Sequence, residues 1–167
     1  RAGLEPVVIV VPFDPLIGRA LAAHTRRKVG DEEHLVQAHR LSHGAAMHAV
    51  LDAHGIQFIC LAGFMRILTP GFVERWQGRM INIHPSLLPK FKGLDTHQSA
   101  LDAGETEHGC TIHWVTPGVD EGPIIAQARV PVLASDTADT LAARVLMQEN
   151  ILYPRILAQM ATSRMQK

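Results

Sequence analysis

The sequence lacks an excess of charge of either sign. It carries 16 basic and 16 acidic residues, which gives a formal net charge of +0 with the histidines counted as neutral. Proteins that attract nucleic acids or anionic membranes over a distance usually present a basic surface. The balance therefore argues against a nucleic-acid or membrane partner.

Cysteine is scarce, and long apolar runs are missing. The two cysteines, Cys60 and Cys110, are far apart in the sequence, which argues against a disulfide scaffold and predicts a cytoplasmic, reducing location. No apolar run approaches the ~20 residues that span a bilayer, and no signal peptide is recognisable. A chain of 167 residues with 47% hydrophobic and 19% charged residues predicts a single globular domain over residues 1–167.

What is present predicts an α/β fold. Residues 7–11 are β-branched throughout and show no polar alternation, which is typical of a strand buried on both faces of a parallel sheet. Further strands are predicted at residues 57–62, 80–84, 109–115 and 124–132, and helices at 16–24, at 45–54 and from about 137 to 160. Strands separated by helices favour a Rossmann-like, mostly parallel sheet flanked by helices.

The last predicted helix carries an apolar stripe with two unusual residues near it. At a helical rotation of about 100° per residue, one face of the helix carries an apolar stripe. The stripe consists of Leu141, Val145, Leu152 and Ile156. Pro154 lies within this stretch and is expected to kink or break the helix. Glu149 falls at the edge of the stripe, where a carboxylate needs a partner.

A polar pair lies near the end of the predicted strand at 80–84. Side chains two apart in a strand point to the same face, so Asn82 and His84 project together. Pro85 cannot donate to a sheet ladder, and the strand should end there. Ligands of open α/β sheets bind outside such strand ends, which makes this amide and imidazole candidate catalytic groups. The alternative is an ordinary polar strand end with a hydrogen-bonded histidine.

Two further segments are candidates for a site. Residues 116–123 place glycine and proline on both sides of Asp120 and Glu121, which indicates a loop. Asp120 is then either a functional acid or a turn former. Residues 63–68 are unusually apolar, and they either bind a flat heterocycle or begin a helix that packs into the core.

Three histidines, His97, His108 and His113, raise the question of a metal site. Their spacing fits no standard zinc pattern, so the sequence predicts no metal. His113 lies on the strand before the loop with Asp120, where it could support the site.

Taken together, these segments resemble one family. They are Leu61-Ala-Gly-Phe-Met-Arg-Ile-Leu68, Asn82-Ile-His-Pro-Ser-Leu-Leu-Pro89 and the Asp120-Glu-Gly-Pro123 loop. They resemble the phosphoribosylglycinamide formyltransferases, folate-dependent enzymes of purine synthesis, and the likeness runs from about residue 40 to residue 161. The second segment is shared by the wider formyltransferase family, whereas the first segment and residues 91–97 point to the glycinamide enzyme.

The resemblance implies the formyltransferase fold and a reaction. The amine of glycinamide ribonucleotide attacks the formyl carbon of 10-formyltetrahydrofolate, and a tetrahedral intermediate forms. The resemblance gives Asn82 and a protonated His84 the role of donors to the developing oxyanion. Asp120 favours the imidazolium and helps to move a proton from the attacking amine. Neither a metal nor a nucleophilic residue is required.

The resemblance also implies binding residues for both small molecules. The pterin pocket is expected to be lined by Met65, Arg66, Ile67 and Leu68, together with the backbone from Val115 to Asp120. Arg40 is either a folate-contacting arginine or a solvated surface residue, and Glu149 matches a residue that contacts the glycinamide substrate. Family relatives include monomers and homodimers, and the sequence does not choose between them.

The sequence departs from the family pattern at its beginning. Family members open with a strand and a Gly-Ser-Asn loop, which binds the substrate phosphate through N–H groups at a helix N-terminus. Gly-Ser-Asn occurs nowhere here, and residues 12–15 (Pro-Phe-Asp-Pro) offer few free amides. We expect the family's first strand, phosphate loop and first helix to be absent. A smaller departure is Asp95, where some relatives carry histidine or asparagine.

Several alternatives to the glycinamide enzyme stay open. Formyltransferases of sugar amines or aminoacyl-tRNA usually carry an additional domain, which is not expected in 167 residues, and the neutral charge disfavours tRNA. A formyltetrahydrofolate hydrolase usually has an N-terminal regulatory domain. A protein of another class would be a folate-binding homologue that is inactive or uses a different amine acceptor, which the missing phosphate loop favours.

Overall fold

The computed structural model describes residues 7–10, 44–53, 55–64 and 66–164. The chain divides into two compact units, Arg1–Met80 and Ile81–Lys167. The single domain expected over residues 1–167 stays a prediction. The predicted helix at 16–24 and the proposed departure at 12–15 lie outside the described residues, as do two of the expected folate contacts, Arg40 and Met65.

The first unit contains a parallel pair of strands and two helices. Strand β1 (Val7–Val10) pairs in parallel with β2 (Phe58–Ala62). Helix α1 spans residues 44–53, and helix α2 spans Pro70–Arg75. Ile59 and Cys60 in β2 are fully buried. Both predicted strands are therefore confirmed to within one residue at their ends, and the predicted helix at 45–54 is confirmed over its described part.

Helix α2 was not predicted, although a local signal marks its start. The side chain of Thr69 accepts a hydrogen bond from the backbone N–H of Phe72 at 3.3 Å, and Pro70 lies in the first turn. A hydroxyl cap followed by proline is a common helix beginning. The described part of residues 63–68 is not helical. The alternative that this apolar segment begins a helix is therefore not supported over its described residues.

The second unit is built on three antiparallel strands. Strand β3 (Met80–His84) pairs with β4 (Glu107–Trp114), and β4 pairs with β5 (Ile124–Pro131). Helix α3 (Thr96–Asp102) precedes β4, and helix α4 (Ala138–Arg164) follows β5. The α/β class is confirmed, and the strand pairing is mixed: parallel in the first unit and antiparallel in the second. Residues 115–123 are too few for the crossover that parallel pairing of β4 and β5 would need.

Helix α4 begins and packs as the sequence predicts but is not broken at its proline. Thr137 and Thr140 exchange side chain to backbone hydrogen bonds at 3.3 and 2.9 Å, a reciprocal N-terminal cap. The predicted stripe is buried along its length. The helix continues through Pro154 because packing on both sides of it, at Leu152 and Ile156, outweighs one lost backbone bond. Within the described part of the chain, no helix is long and apolar enough to cross a membrane.

The sheet of the second unit has a polar face and an apolar face. Residues directly opposite each other in an antiparallel pair point to the same side, and neighbours along a strand alternate. The polar face includes Asn82, His84, Thr111, His113 and Gln127. The apolar face includes Ile81, Ile83, Cys110 and Ile112, all buried. Helix α4 packs against β4 and β5.

Gly109 marks a close approach between β4 and β5. A Cβ at this position would overlap the carbonyl oxygen of Ala128 and lie 3.0 Å from Leu87 Cδ2. We expect Gly109→Ala to lower the free energy of unfolding by about 2 kcal/mol or more, because paired backbone cannot move aside without strain. Urea denaturation measures this, with Gly71→Ala as the matched control, since a Cβ at Gly71 meets open space. An unchanged midpoint for Gly109→Ala would contradict the close approach.

Candidate active site

His84 lies at the end of β3 with both ring nitrogens against protein acceptors. Its Nε2–H donates to the carbonyl oxygen of Phe91 at 2.9 Å, and its Nδ1 lies 3.3 Å from Oδ2 of Asp120. Only 6% of its side chain is exposed. The two acceptors are satisfied together when both nitrogens carry protons. The geometry suits an imidazolium paired with a carboxylate.

Asp120 is the point at which these contacts converge. Its Oδ2 accepts a hydrogen bond from the backbone N–H of Gly93 at 2.9 Å, and its Oδ1 lies 3.5 Å from Nε2 of His113. Burial raises the pKa of the Asp120 carboxyl, but the hydrogen bonds from His113 and Gly93 and the charge of His84 together hold this pKa below its usual range. Asp120 is therefore ionised at neutral pH.

Asn82 is held next to Asp120 by His113. The Nδ1–H of His113 donates to the carbonyl of Trp114 at 2.9 Å, and its Nε2 lies 3.3 Å from Nδ2 of Asn82. A neutral His113 accepts from Asn82 at Nε2, whereas a protonated His113 donates from the same nitrogen to Asp120. Asn82 is half-buried, and its described hydrogen bond uses one of its two N–H bonds. The other is available to a ligand.

The loop at residues 85–93 supplies two backbone groups that sequence reasoning missed. Phe91 contributes the carbonyl that accepts from His84, and Gly93 contributes the N–H that donates to Asp120. Between them, Lys92 forms an ion pair with Glu121 at 3.0 Å, which ties this loop to the loop of Asp120. Backbone groups carry no residue signature, so only the resemblance over residues 82–89 and 91–97 pointed to this segment.

His97 and His108 form a separate pair behind this loop. Nδ1 of His97 lies 3.1 Å from Nε2 of the buried His108. Burial, reinforced by His97, lowers the pKa of His108 to about 4. Among the described residues, no group of three or more histidine, cysteine, aspartate or glutamate side chains is placed so that it could hold a metal ion.

The buried His108 makes stability depend on pH. Its pKa is about 4 in the folded state against an ordinary value of 6.5, so the unfolded chain takes up the proton first as the pH falls. Stability is therefore lost between about pH 6.5 and pH 4, by on the order of 3 kcal/mol for this group. We expect His108→Gln, which keeps polar atoms but does not titrate, to lose distinctly less stability over that range. Urea denaturation at pH 7, 5.5 and 4.5 measures the difference, and parallel curves for the two proteins would contradict it.

The remaining predicted site residues are distributed over both units. Arg66 and Ile67 are exposed, and Leu68 is half-buried, in the loop before α2 of the first unit. Val115, half-buried, follows β4 in the second unit. Burial raises the pKa of the Glu149 carboxyl, whose described electrostatic partner is Cys110 on the apolar face. The structure thus brings together Asn82, His84 and Asp120, and the binding roles of the others stay predictions.

Comparison with known proteins decides the family. The family model described as "Formyl transferase" matches residues 6–157. The chain belongs to the formyl transferase family. Among curated relatives, this formyl transferase is 50% identical to the phosphoribosylglycinamide formyltransferase of Escherichia coli over 115 residues, which are 69% of this chain and 54% of the relative. It is 46% identical to the human trifunctional purine biosynthetic protein adenosine-3 over 133 residues, 80% of this chain and 13% of that protein.

Solved structures of phosphoribosylglycinamide formyltransferases share the fold of this formyl transferase. The protein of Coxiella burnetii is 36% identical with a TM-score of 0.76, over 97% of this chain and 89% of that one. The protein of Brucella melitensis is 45% identical with a TM-score of 0.71, over 96% and 84% of the two chains. The predicted formyltransferase fold and the resemblance to this family are confirmed. The chain nevertheless spans only about half the length of the E. coli relative it matches.

Proposed function

We propose that this formyl transferase moves a formyl group from 10-formyltetrahydrofolate to the amine of glycinamide ribonucleotide, a step of de novo purine synthesis. The observation that carries the proposal is the ionised Asp120 set between His84 and His113, with Nδ2 of Asn82 3.3 Å from Nε2 of His113. The names of relatives up to 50% identical support the choice of acceptor.

The first step requires stabilisation of an oxyanion. The amine nitrogen bonds to the formyl carbon, and the formyl oxygen takes up negative charge. The N–H of Asn82 that no described residue accepts is a suitable donor to this oxygen. The N–H bonds of His84 point at Phe91 and Asp120, so His84 donates to the oxyanion only by sharing or exchanging one of these acceptors. Its positive charge stabilises the oxyanion at short range in either case.

The second step moves protons. The attacking amine becomes positively charged and gives a proton to the Asp120 carboxylate, directly or through a water. The bond from the formyl carbon to N10 of the folate then breaks, and N10 receives a proton from His84. The 3.3 Å contact between Asp120 and His84 returns the first proton to the imidazole and restores the starting state.

The binding roles implied by the family belong to the same proposal. Pterin contacts are assigned to Met65, Arg66, Ile67, Leu68 and the backbone from Val115 to Asp120, with Arg40 as a further folate contact. Glu149 is assigned to the glycinamide substrate. A reducing, cytoplasmic location fits the two buried cysteines, which are free thiols.

A formyl-transfer assay on the whole chain tests the proposal. Purified protein is mixed with 10-formyltetrahydrofolate and glycinamide ribonucleotide, and mass spectrometry follows the formylated product. Turnover supports the proposal. Calorimetric binding of folate without turnover would favour the inactive homologue, and turnover with a different amine alone would favour another acceptor. If the protein neither binds folate nor turns over, the proposed enzyme and the folate-binding homologue are both overturned.

A further inference from the structure

One loop sets the orientation of two catalytic side chains at once. The Phe91 carbonyl accepts from Nε2 of His84 and fixes the orientation of the imidazole ring, and the Gly93 N–H fixes the rotation of the Asp120 carboxylate. The direct contact between the two side chains is longer, at 3.3 Å. A shift of this loop would therefore alter the His84–Asp120 pair without any change in either residue.

The loop holds a conformation that its own sequence does not favour. Phe91 has a φ of 53°, in the left-handed region that bulky residues rarely occupy. Such a residue persists only where surrounding contacts hold it in place. The segment before it contains no helix or strand that could do so. The conformation is supported within the loop by the Ser86 hydroxyl, which donates to the Lys90 carbonyl at 2.7 Å, and also by contacts from outside the loop.

A clamp on the polar face provides these outside contacts. The Thr111 hydroxyl donates to the carbonyl of Ser86 at 2.7 Å and accepts from the backbone N–H of Leu88 at 3.0 Å. The side-chain amide of Gln127 donates to the carbonyl of Leu88 and to the Thr111 hydroxyl, both at 2.9 Å. The hydroxyl thus uses its one proton and both lone pairs, and the amide uses both protons.

The register of the sheet explains why the clamp acts on this loop. Thr111 lies opposite His84 in the β3–β4 pair and opposite Gln127 in the β4–β5 pair. The three side chains form one row across the polar face. The pairing of β3, β4 and β5 therefore fixes the position of Thr111 and Gln127 relative to His84.

We propose that Gln127 and Thr111 are positioning residues for formyl transfer, which hold the loop at residues 85–93 so that Phe91 and Gly93 orient His84 and Asp120. In its kinetic consequences the inference rests on the proposed function. It adds two residues that touch neither substrate nor the reacting atoms.

The variants Gln127→Met and Thr111→Val test the clamp in the full chain. Each removes hydrogen bonds at nearly constant side-chain size. We expect kcat to fall by about tenfold to 100-fold while KM for both substrates changes less than about twofold, because catalytic groups are misplaced and substrate contacts are not. The pH profile of kcat should shift, and Thr111→Ser, which restores the hydroxyl, should recover most of the rate.

A second readout does not depend on activity. Nitrogen-15 NMR of the histidine rings reports the hydrogen bonding of each ring nitrogen of His84. We expect the Nε2 and Nδ1 signals of His84 in Gln127→Met and Thr111→Val to differ from those of the wild type, because the ring no longer keeps its contacts with Phe91 and Asp120. Gln98→Met is the matched control, because Gln98 donates a side-chain hydrogen bond to Asp102 on the exposed surface of α3. It should leave rate and ring signals unchanged.

The outcomes separate this inference from the proposed function. If the wild type transfers no formyl group, the proposed function fails, while the ring signals still decide whether the clamp orients His84. Wild-type ring signals and rates in both clamp variants would overturn the inference. So would a loss of rate that merely follows the folded fraction in a denaturation curve. If Gln127→Met does not fold, the Thr111→Val and Thr111→Ser pair decides alone.

Discussion

Asn82→Ala and His84→Ala should each lower kcat for formyl transfer by about 10²–10³-fold, the usual effect of removing one donor to an oxyanion. In Asn82→Ala the lost group is the N–H that no described partner uses. In His84→Ala both the charge paired with Asp120 and the acid for N10 are lost, so this variant should be the slower of the two. Single-turnover kinetics with saturating substrates measures the chemical step directly.

Asn150→Ala is the control for these two variants. Asn150 lies on the exposed surface of α4, and its replacement should leave kcat unchanged. Thermal unfolding of all three variants establishes that each is folded at the assay temperature. Activity within about tenfold of wild type in Asn82→Ala or His84→Ala would refute the donor roles.

Asp120→Asn should lower kcat by about 10²–10⁴-fold, the range for loss of a positioned general base. The amide has the shape of the carboxylate and can still accept from Gly93, but it neither takes a proton from the amine nor pairs with a charged His84. Because the pKa of Asp120 lies below its usual range, the wild-type enzyme should keep its base through mildly acidic pH. The asparagine amide in Asp120→Asn does not titrate, so raising the pH should not restore its activity.

Asp95→Asn is a closely matched control for Asp120→Asn. Both aspartates occupy the left-handed region, with φ values of 55° and 52°, and asparagine is tolerated there. Asp95 precedes α3 without a side-chain capping bond, so its replacement should change kcat by less than about threefold. A similar loss in both variants would show that Asp120 acts through general charge and not as a base.

The sequence predicted what depends on side-chain pattern. Period-two alternation placed Asn82 and His84 on one face, and the spacing of Leu141 and Val145 revealed the buried stripe of α4. The structure places His113 on the same face as Asn82 and His84, where the sequence indicated only that it could support the site. These features follow from local periodicity, which a single sequence contains.

What escaped prediction depends on tertiary contacts. The short helices α2 and α3 carry too few apolar positions for a periodic signal. Of the kink or break expected at Pro154, the break is wrong, because burial of the stripe overrides a local rule. The row of His84, Thr111 and Gln127 arises from strand register between distant segments, which no spacing within one segment encodes.

The loop at residues 85–93 contributes to the site through peptide groups, and this limits what a conventional mutational survey can detect. Phe91→Ala leaves in place the carbonyl that accepts the hydrogen bond from His84, and most substitutions at Gly93 leave the N–H that donates to Asp120. A scan would assign these positions to packing or turn conformation. Replacing single amides by esters through chemical synthesis alters the atoms themselves. In this protein, changes to single backbone atoms are as informative about the site as changes to its side chains.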